Sequence, residues 1–324
     1  MNLERIGNIT SELSSNLLRA IVLPGGIRDW FSRAQAERAR DPRKPQQPDQ
    51  RPDKATYMSH KVEVGGPVVL IAGSPVPDEA VVEMMHLAGG RAARVAILPI
   101  AAVDQRQCGA AALRLFTRFG MRRVEVLEPI TRDSACDIEQ AHTLGTFDAA
   151  FLCGPDLPTG LELLHDSALA QALGTMHRSG RLVAGMASGA VLLSERLIIV
   201  RDGRQALVPG LGIASGLVVD TESANQARLG EVARCMNAEG GLALMGAELE
   251  AGSAAVMRDG EVRVLGEGSV TFLDSRESAV ASGAGSAGVY GLKVHVLQAG
   301  SGINLRSRRP FGPGKKVAAA ASER

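Results

Sequence analysis

The apolar run RLVAGM (181–186) passes directly into Ala187-Ser188-Gly189-Ala190. A strand, then glycines flanking a three-residue turn, then a helix is the spacing of a nucleophile elbow. The glycines permit a strained turn that lifts the central side chain above a sheet, beside helix N-terminal amides able to stabilise an oxyanion. Such a turn serves acyl transfer, and here its centre is Ala187. Other reactive residue types are dispersed. Cys108, Cys136, Cys153 and Cys235 form no Cys-x-x-Cys pair, and the six histidines show no ligand spacing. The thiols are therefore expected to be reduced and mostly buried, and neither a metal nor a cofactor is expected.

The elements that would position this turn follow from two alternating periods. PVVLIAG (67–73), RVAILPI (94–100), RVEVLEP (123–129), DAAFLCG (148–154) and RLVAGM (181–186) are strand-like. Helical spacing fills 78–88, 105–119, 137–143, 159–164 and 167–178 between them. Strands alternating with helices imply a parallel sheet covered on both faces. After about residue 204 short strands with Gly or Asp turns suggest antiparallel additions, interrupted by a helix near 225–237. The segment 275–288 reads as a flexible loop of small residues, and 306–324 as a basic disordered tail. Residues 1–40 carry an apolar stripe (Leu3, Ile6, Ile9, Leu13, Leu17) and read as a helical extension. The Pro-rich, charged stretch from 41 reads as a disordered linker. The expected organisation is a helical extension over 1–40, a linker over 41–60, an α/β domain over 61–312 and a tail over 313–324. The expected fold is a three-layer α/β sandwich with a mainly parallel central sheet.

Composition bounds the partners. The 324 residues are 45% hydrophobic and only 3% aromatic, so the core must be aliphatic. A formal net charge of +1 gives no electrostatic reason to expect nucleic acid or an anionic membrane. No signal-like N-terminus and no apolar run of about 18 residues is present, which points to a cytoplasmic protein.

From Gly66 to about Phe311 the chain resembles the cyanophycinase family, serine peptidases with a class I amidotransferase-like sandwich. VVLIAGSP resembles that family's first strand and glycine turn, RVAILPIAA its second strand, and AAFLCGPDL a strand ending in a Gly-Gly-Asp-Gln loop. VAGMASGA stands for a Gly-Thr-Ser-Ala-Gly-Ala elbow. Leu217 to Ser223 falls on the segment written Asp-Gln-His-Phe, and Gly246 to Val256 on the Gly-Ile-Gly-Ile-Asp-Glu stretch. The resemblance implies a peptidase fold, a homodimer and an aspartate-backbone substrate bearing arginine side chains.

The departures bear on catalysis. The resemblance puts the nucleophilic serine on Ala187, whose methyl group cannot attack a carbonyl, and the general-base histidine on Glu222. The acidic partner stretch becomes Glu250-Ala251, a loop glycine becomes Pro155, which has no N–H to donate, and the loop glutamine becomes Leu157. Losing a triad member costs on the order of 10⁴–10⁶ in rate, and one oxyanion donor roughly 10²–10³. Ser188, one position on, is a candidate nucleophile only if its side chain reaches the cleft. The blander reading is a structural or N-cap serine. Cys153, at a strand end, is read as packing. Asp156, Asp220, Glu222, Arg228 and Glu250 are candidate ligand-binding residues, a carboxylate–guanidinium contact being the natural chemistry. The alternative for each is an ion pair holding the loops. Three functions compete: an inactive relative binding cyanophycin or an Asp-Arg peptide or regulating an active enzyme, a hydrolase with a rebuilt site, and an assembly subunit docking a protein partner through 1–40.

Overall fold

Val68, Val69, Leu70 and Ile71 are all fully buried, as a strand covered on both faces must be. The computed structural model describes residues 65–314 except 128–129, 202–203, 222–229, 231, 237–243 and 284–285. The expected extension, the linker and the tail beyond 314 lie outside the described residues, as do the candidates Glu222 and Arg228.

Five parallel strands form one half of the main sheet: β1 (Val68–Ile71), β2 (Arg94–Leu98), β3 (Arg123–Val126), β4 (Ala149–Leu152) and β5 (Leu182–Met186). Four antiparallel strands extend the sheet: β10 (Ser253–Arg258), β11 (Glu261–Gly266), β16 (Gly302–Asn304) and β17 (Arg309–Phe311). The order is β17-β16-β11-β10-β1-β5-β4-β2-β3. Helices α1 (Asp78–Leu87) and α2 (Gln105–Arg118) cover one face. There Met84 and Phe116 join Val69, Ile71, Val95, Ile97 and Phe151 in one aliphatic-rich core, with Phe116 and Phe151 edge to face at 5.1 Å. Connections α3 (Arg132–Cys136), α4 (Ile138–Leu144), α5 (Leu157–Leu164) and α6 (Ala168–Arg178) follow, and α7 (Ser188–Leu192) leaves β5 directly. Among the described residues, no helix is long and apolar enough to cross a membrane.

A second sheet, β15 (Lys293–Leu297)-β12 (Val270–Asp274)-β9 (Met245–Leu249)-β8 (Leu217–Asp220), and two hairpins, β6 (Arg196–Arg201) with β7 (Arg204–Pro209) and β13 (Ala279–Gly283) with β14 (Ser286–Tyr290), stand apart from the main sheet, and residues 232–236 are helical. Here the structure corrects the sequence. The segment 275–288 is largely that second hairpin, with Val280 opposite Val289. Its backbone ladder needs no large side chains, so Ala, Ser and Gly hid the period. The additions are not all antiparallel, since β8 runs parallel to β9. The expected basic tail is ordered through Phe311. Arg308 is 8% exposed, donates to the Leu244 carbonyl at 3.1 Å and lies 3.8 Å from Asp274, which Arg276 also pairs at 2.7 Å. Burial pushes the Asp274 carboxyl up, but the Arg276 hydrogen bonds and the two guanidinium charges outweigh it and hold it below the usual range. Burial pulls Arg308 down to about 10, still charged at neutral pH.

Candidate functional site

Ala187 sits at the apex between β5 and α7 with φ 53° and ψ −127°. That is a left-handed, strained conformation for a residue with a Cβ, and it is the turn that lifts a side chain off a strand end. Its amide donates to the Ile71 carbonyl at 3.0 Å, tying the turn to the central strand. The flanking glycines are required by space. A Cβ on Gly185 would lie 2.4 Å from the Gly189 carbonyl oxygen, and one on Gly189 would lie 2.3 Å from that of Leu152. The elbow therefore closes backbone to backbone.

A cleft of about 240 Å³ opens beside this turn. Pro155, Asp156 and Leu157 form one wall, Ser188 and Val191 of α7 its base, and Ile198, Val219, Asp220 and Thr221 the other side. Asp156 caps α5: its carboxylate accepts from the Thr159 amide at 3.3 Å and the Thr159 hydroxyl at 2.8 Å. Its own amide donates to Ala101 at 2.7 Å, so the wall is pinned at both ends. Asp220, buried at the end of β8, accepts from the Thr221 amide at 2.8 Å. The cleft thus sets apolar residues such as Leu157, Val191, Ile198 and Val219 beside two acidic ones, Asp156 and Asp220. The oxyanion side is differently occupied. The Ser188 amide, which an elbow would aim at a substrate oxygen, donates to the Gly154 carbonyl at 3.1 Å, and Pro155 has no N–H.

The sequence profile of Peptidase family S51 matches residues 68–265. The chain belongs to that family. It is 28% identical over 236 residues to a cyanophycinase of Synechococcus elongatus, covering 68% of this chain and 73% of that one. It is 26% identical over 235 residues to a cyanophycinase of Trichormus variabilis, covering 68% and 78%. The crystal structure of a peptidase from an acI-B1 Actinobacterium matches with a TM-score of 0.57 at 17% identity, over 75% of this chain and 98% of that one. At that identity the likeness concerns the fold.

Within the S51 scaffold, the structure brings Pro155, Asp156, Leu157, Ser188 and Asp220 to one cleft beside Ala187. Ser188 is not the N-cap of α7. The cap position is Ala187, and Ser188 begins the helix. It is buried, 8% exposed, and is one of the residues that line the cleft. Glu250 does not line the cleft. It follows β9, and its carboxylate accepts from the Ser269 hydroxyl at 2.8 Å and amide at 3.1 Å, bonds that hold it below its ordinary pKa. Cys153 is fully buried, with its sulfur 3.4 Å from that of Cys108. That contact and burial push its thiol well above the ordinary value. Sequence reasoning missed Glu248, buried on β9 directly opposite Asp220 in the parallel ladder. A glutamate inside the apolar run LALMGAEL was the available signal.

Proposed function

We infer that this S51 chain is a catalytically inactive relative of the cyanophycinases, whose cleft binds cyanophycin or a related Asp-Arg peptide. The observation that carries the reading is a methyl group at the apex of an intact elbow. A strained turn is retained while the position it presents, Ala187, holds no nucleophile. The Ser188 amide bonded to Gly154 and the missing N–H of Pro155 support the same conclusion on the oxyanion side. The retained cleft supports binding. A guanidinium can meet the negative charge of Asp156 and Asp220 while its methylene stem lies on Val191, Ile198 and Val219.

The test pairs hydrolysis with binding on the purified chain, using cyanophycin polymer and β-Asp-Arg dipeptide, with an active cyanophycinase as control. Binding that weakens on Asp156→Asn, with no release of dipeptide, is the expected result. Hydrolysis by the unmodified chain would overturn inactivity, and absence of binding to either probe would overturn the ligand.

One observation favours a second reading, a hydrolase rebuilt around Ser188: this residue lines the cleft next to the elbow apex. On that reading turnover exists and is abolished by Ser188→Ala.

A further inference from the structure

Two of the four cysteines meet although 45 residues separate them. Cys108 stands in the first turn of α2, half-buried, and Cys153 follows β4, fully buried. Their sulfurs are 3.4 Å apart with both thiols free. A disulfide needs about 2.05 Å, so closure asks for roughly 1.35 Å of sulfur movement, shared between two side chains. The access is graded: a small oxidant can reach Cys108 from the surface, and Cys153 waits behind it. Cys136 is exposed and Cys235 contacts Gln205, so no other described pair of thiols is in contact.

We propose that Cys108 and Cys153 form a reversible dithiol–disulfide pair oxidised by a peroxide. The Cys108 thiolate attacks hydrogen peroxide. An S–O bond forms, the O–O bond breaks, and the departing hydroxide takes up the proton lost by Cys108 to leave as water. Cys153 then attacks the Cys108 sulfenic sulfur. The S–S bond forms, the S–O bond breaks, and the Cys153 proton goes to the leaving hydroxide as a second water. Two thiols are oxidised by two electrons and one peroxide is reduced to two waters. The contact with Cys153 also holds the Cys108 thiol below its ordinary value, which favours it as the attacking partner.

The bond would join α2 to the strand end that carries the cleft wall. The Cys153 carbonyl accepts from Ala101, and the next residues are Gly154, which accepts from Ser188, then Pro155 and Asp156. The pair stands independently of what the cleft binds.

The test uses the full chain carrying Cys136→Ser, because Cys136 and Cys153 fall on one tryptic peptide (133–178) while Cys108 falls on 107–114. The protein is treated with one equivalent of hydrogen peroxide, alkylated under denaturing conditions and digested without reductant. The expected product is peptide 107–114 joined to 133–178, in most of the chain, and lost on adding dithiothreitol. Recovery of both cysteines alkylated, or of Cys108 as sulfinic acid with Cys153 alkylated, would overturn the proposal. A second measurement fixes the order of attack. In Cys136→Ser/Cys153→Ala, a dimedone adduct should accumulate at Cys108 above its level in the single variant, and its absence would refute Cys108 as the entry point.

Discussion

Gly189→Ala is the sharpest perturbation of the elbow. The added methyl would sit 2.3 Å from the Leu152 carbonyl oxygen, 2.6 Å from its carbon and 3.0 Å from the Cys153 nitrogen. All three are backbone atoms, so no side chain can swing away. Reaching an ordinary contact of 3.4 Å requires about 1.1 Å of relative movement between α7 and β4. β4 is held in register on both sides, by β5 and β2, and cannot yield alone. Overpacking of a close-packed interior costs typically 1–3 kcal/mol, and an immovable backbone puts this case at about 3 kcal/mol or more. For a domain of this size that is a fall in melting temperature of roughly 6–12 °C. The assay is thermal unfolding by circular dichroism, with Gly312→Ala as control, since a Cβ there meets nothing. The control should stay within about 0.5 kcal/mol of the parent. A Gly189→Ala melting temperature matching that of the control would refute the backbone-to-backbone closure of the turn.

Three other outcomes are expected. Arg308→Ala should destabilise by about 3 kcal/mol in urea titration, because it removes a buried charge from Asp274 and a donor from the Leu244 carbonyl, while Arg276 keeps the loss at the low end for a broken buried pair. Asp274 is held below its unfolded pKa, so its stabilisation is complete above about pH 4 and is lost as pH falls through its folded value. Asp274→Asn should flatten the loss of stability below that pH, and an unchanged acid slope would count against the network. Ser269→Ala should raise the Glu250 pKa towards its ordinary value, without restoring it fully because the Ser269 amide still donates; a carboxylate NMR titration reads the change.

The central strands were legible because burial on both faces leaves unbroken apolar runs, and VVLI, AAFL and LVAGM have no other use in a chain of ordinary composition. The elbow was legible because Gly185 and Gly189 are demanded by contacts as close as 2.3 and 2.4 Å, which no larger residue tolerates. What escaped depends on partners distant in the chain. Arg308 reads as one more basic residue of a tail until Asp274 and Leu244 are brought to it. The strand over 196–201 escaped for a related reason: RLIIVR follows a short helix after only three residues and is defined by its hairpin partner Arg204–Pro209. Cys108 and Cys153 show no motif, because a sulfur contact between a helix and a strand has no spacing rule.

The strand order has a consequence for how the chain reaches this state. β1 is the earliest strand of the sheet among the described residues, yet it lies at the sheet's interior, with Val68 facing Val183 on one side and Met257 on the other. During synthesis its edges must wait for both neighbours to leave the ribosome, and the outermost strand, β17, closes only with Phe311. Such long-range pairing folds slowly. Until then the VVLI segment is an uncovered strand with two open edges, a natural client for a chaperone that shields apolar backbone.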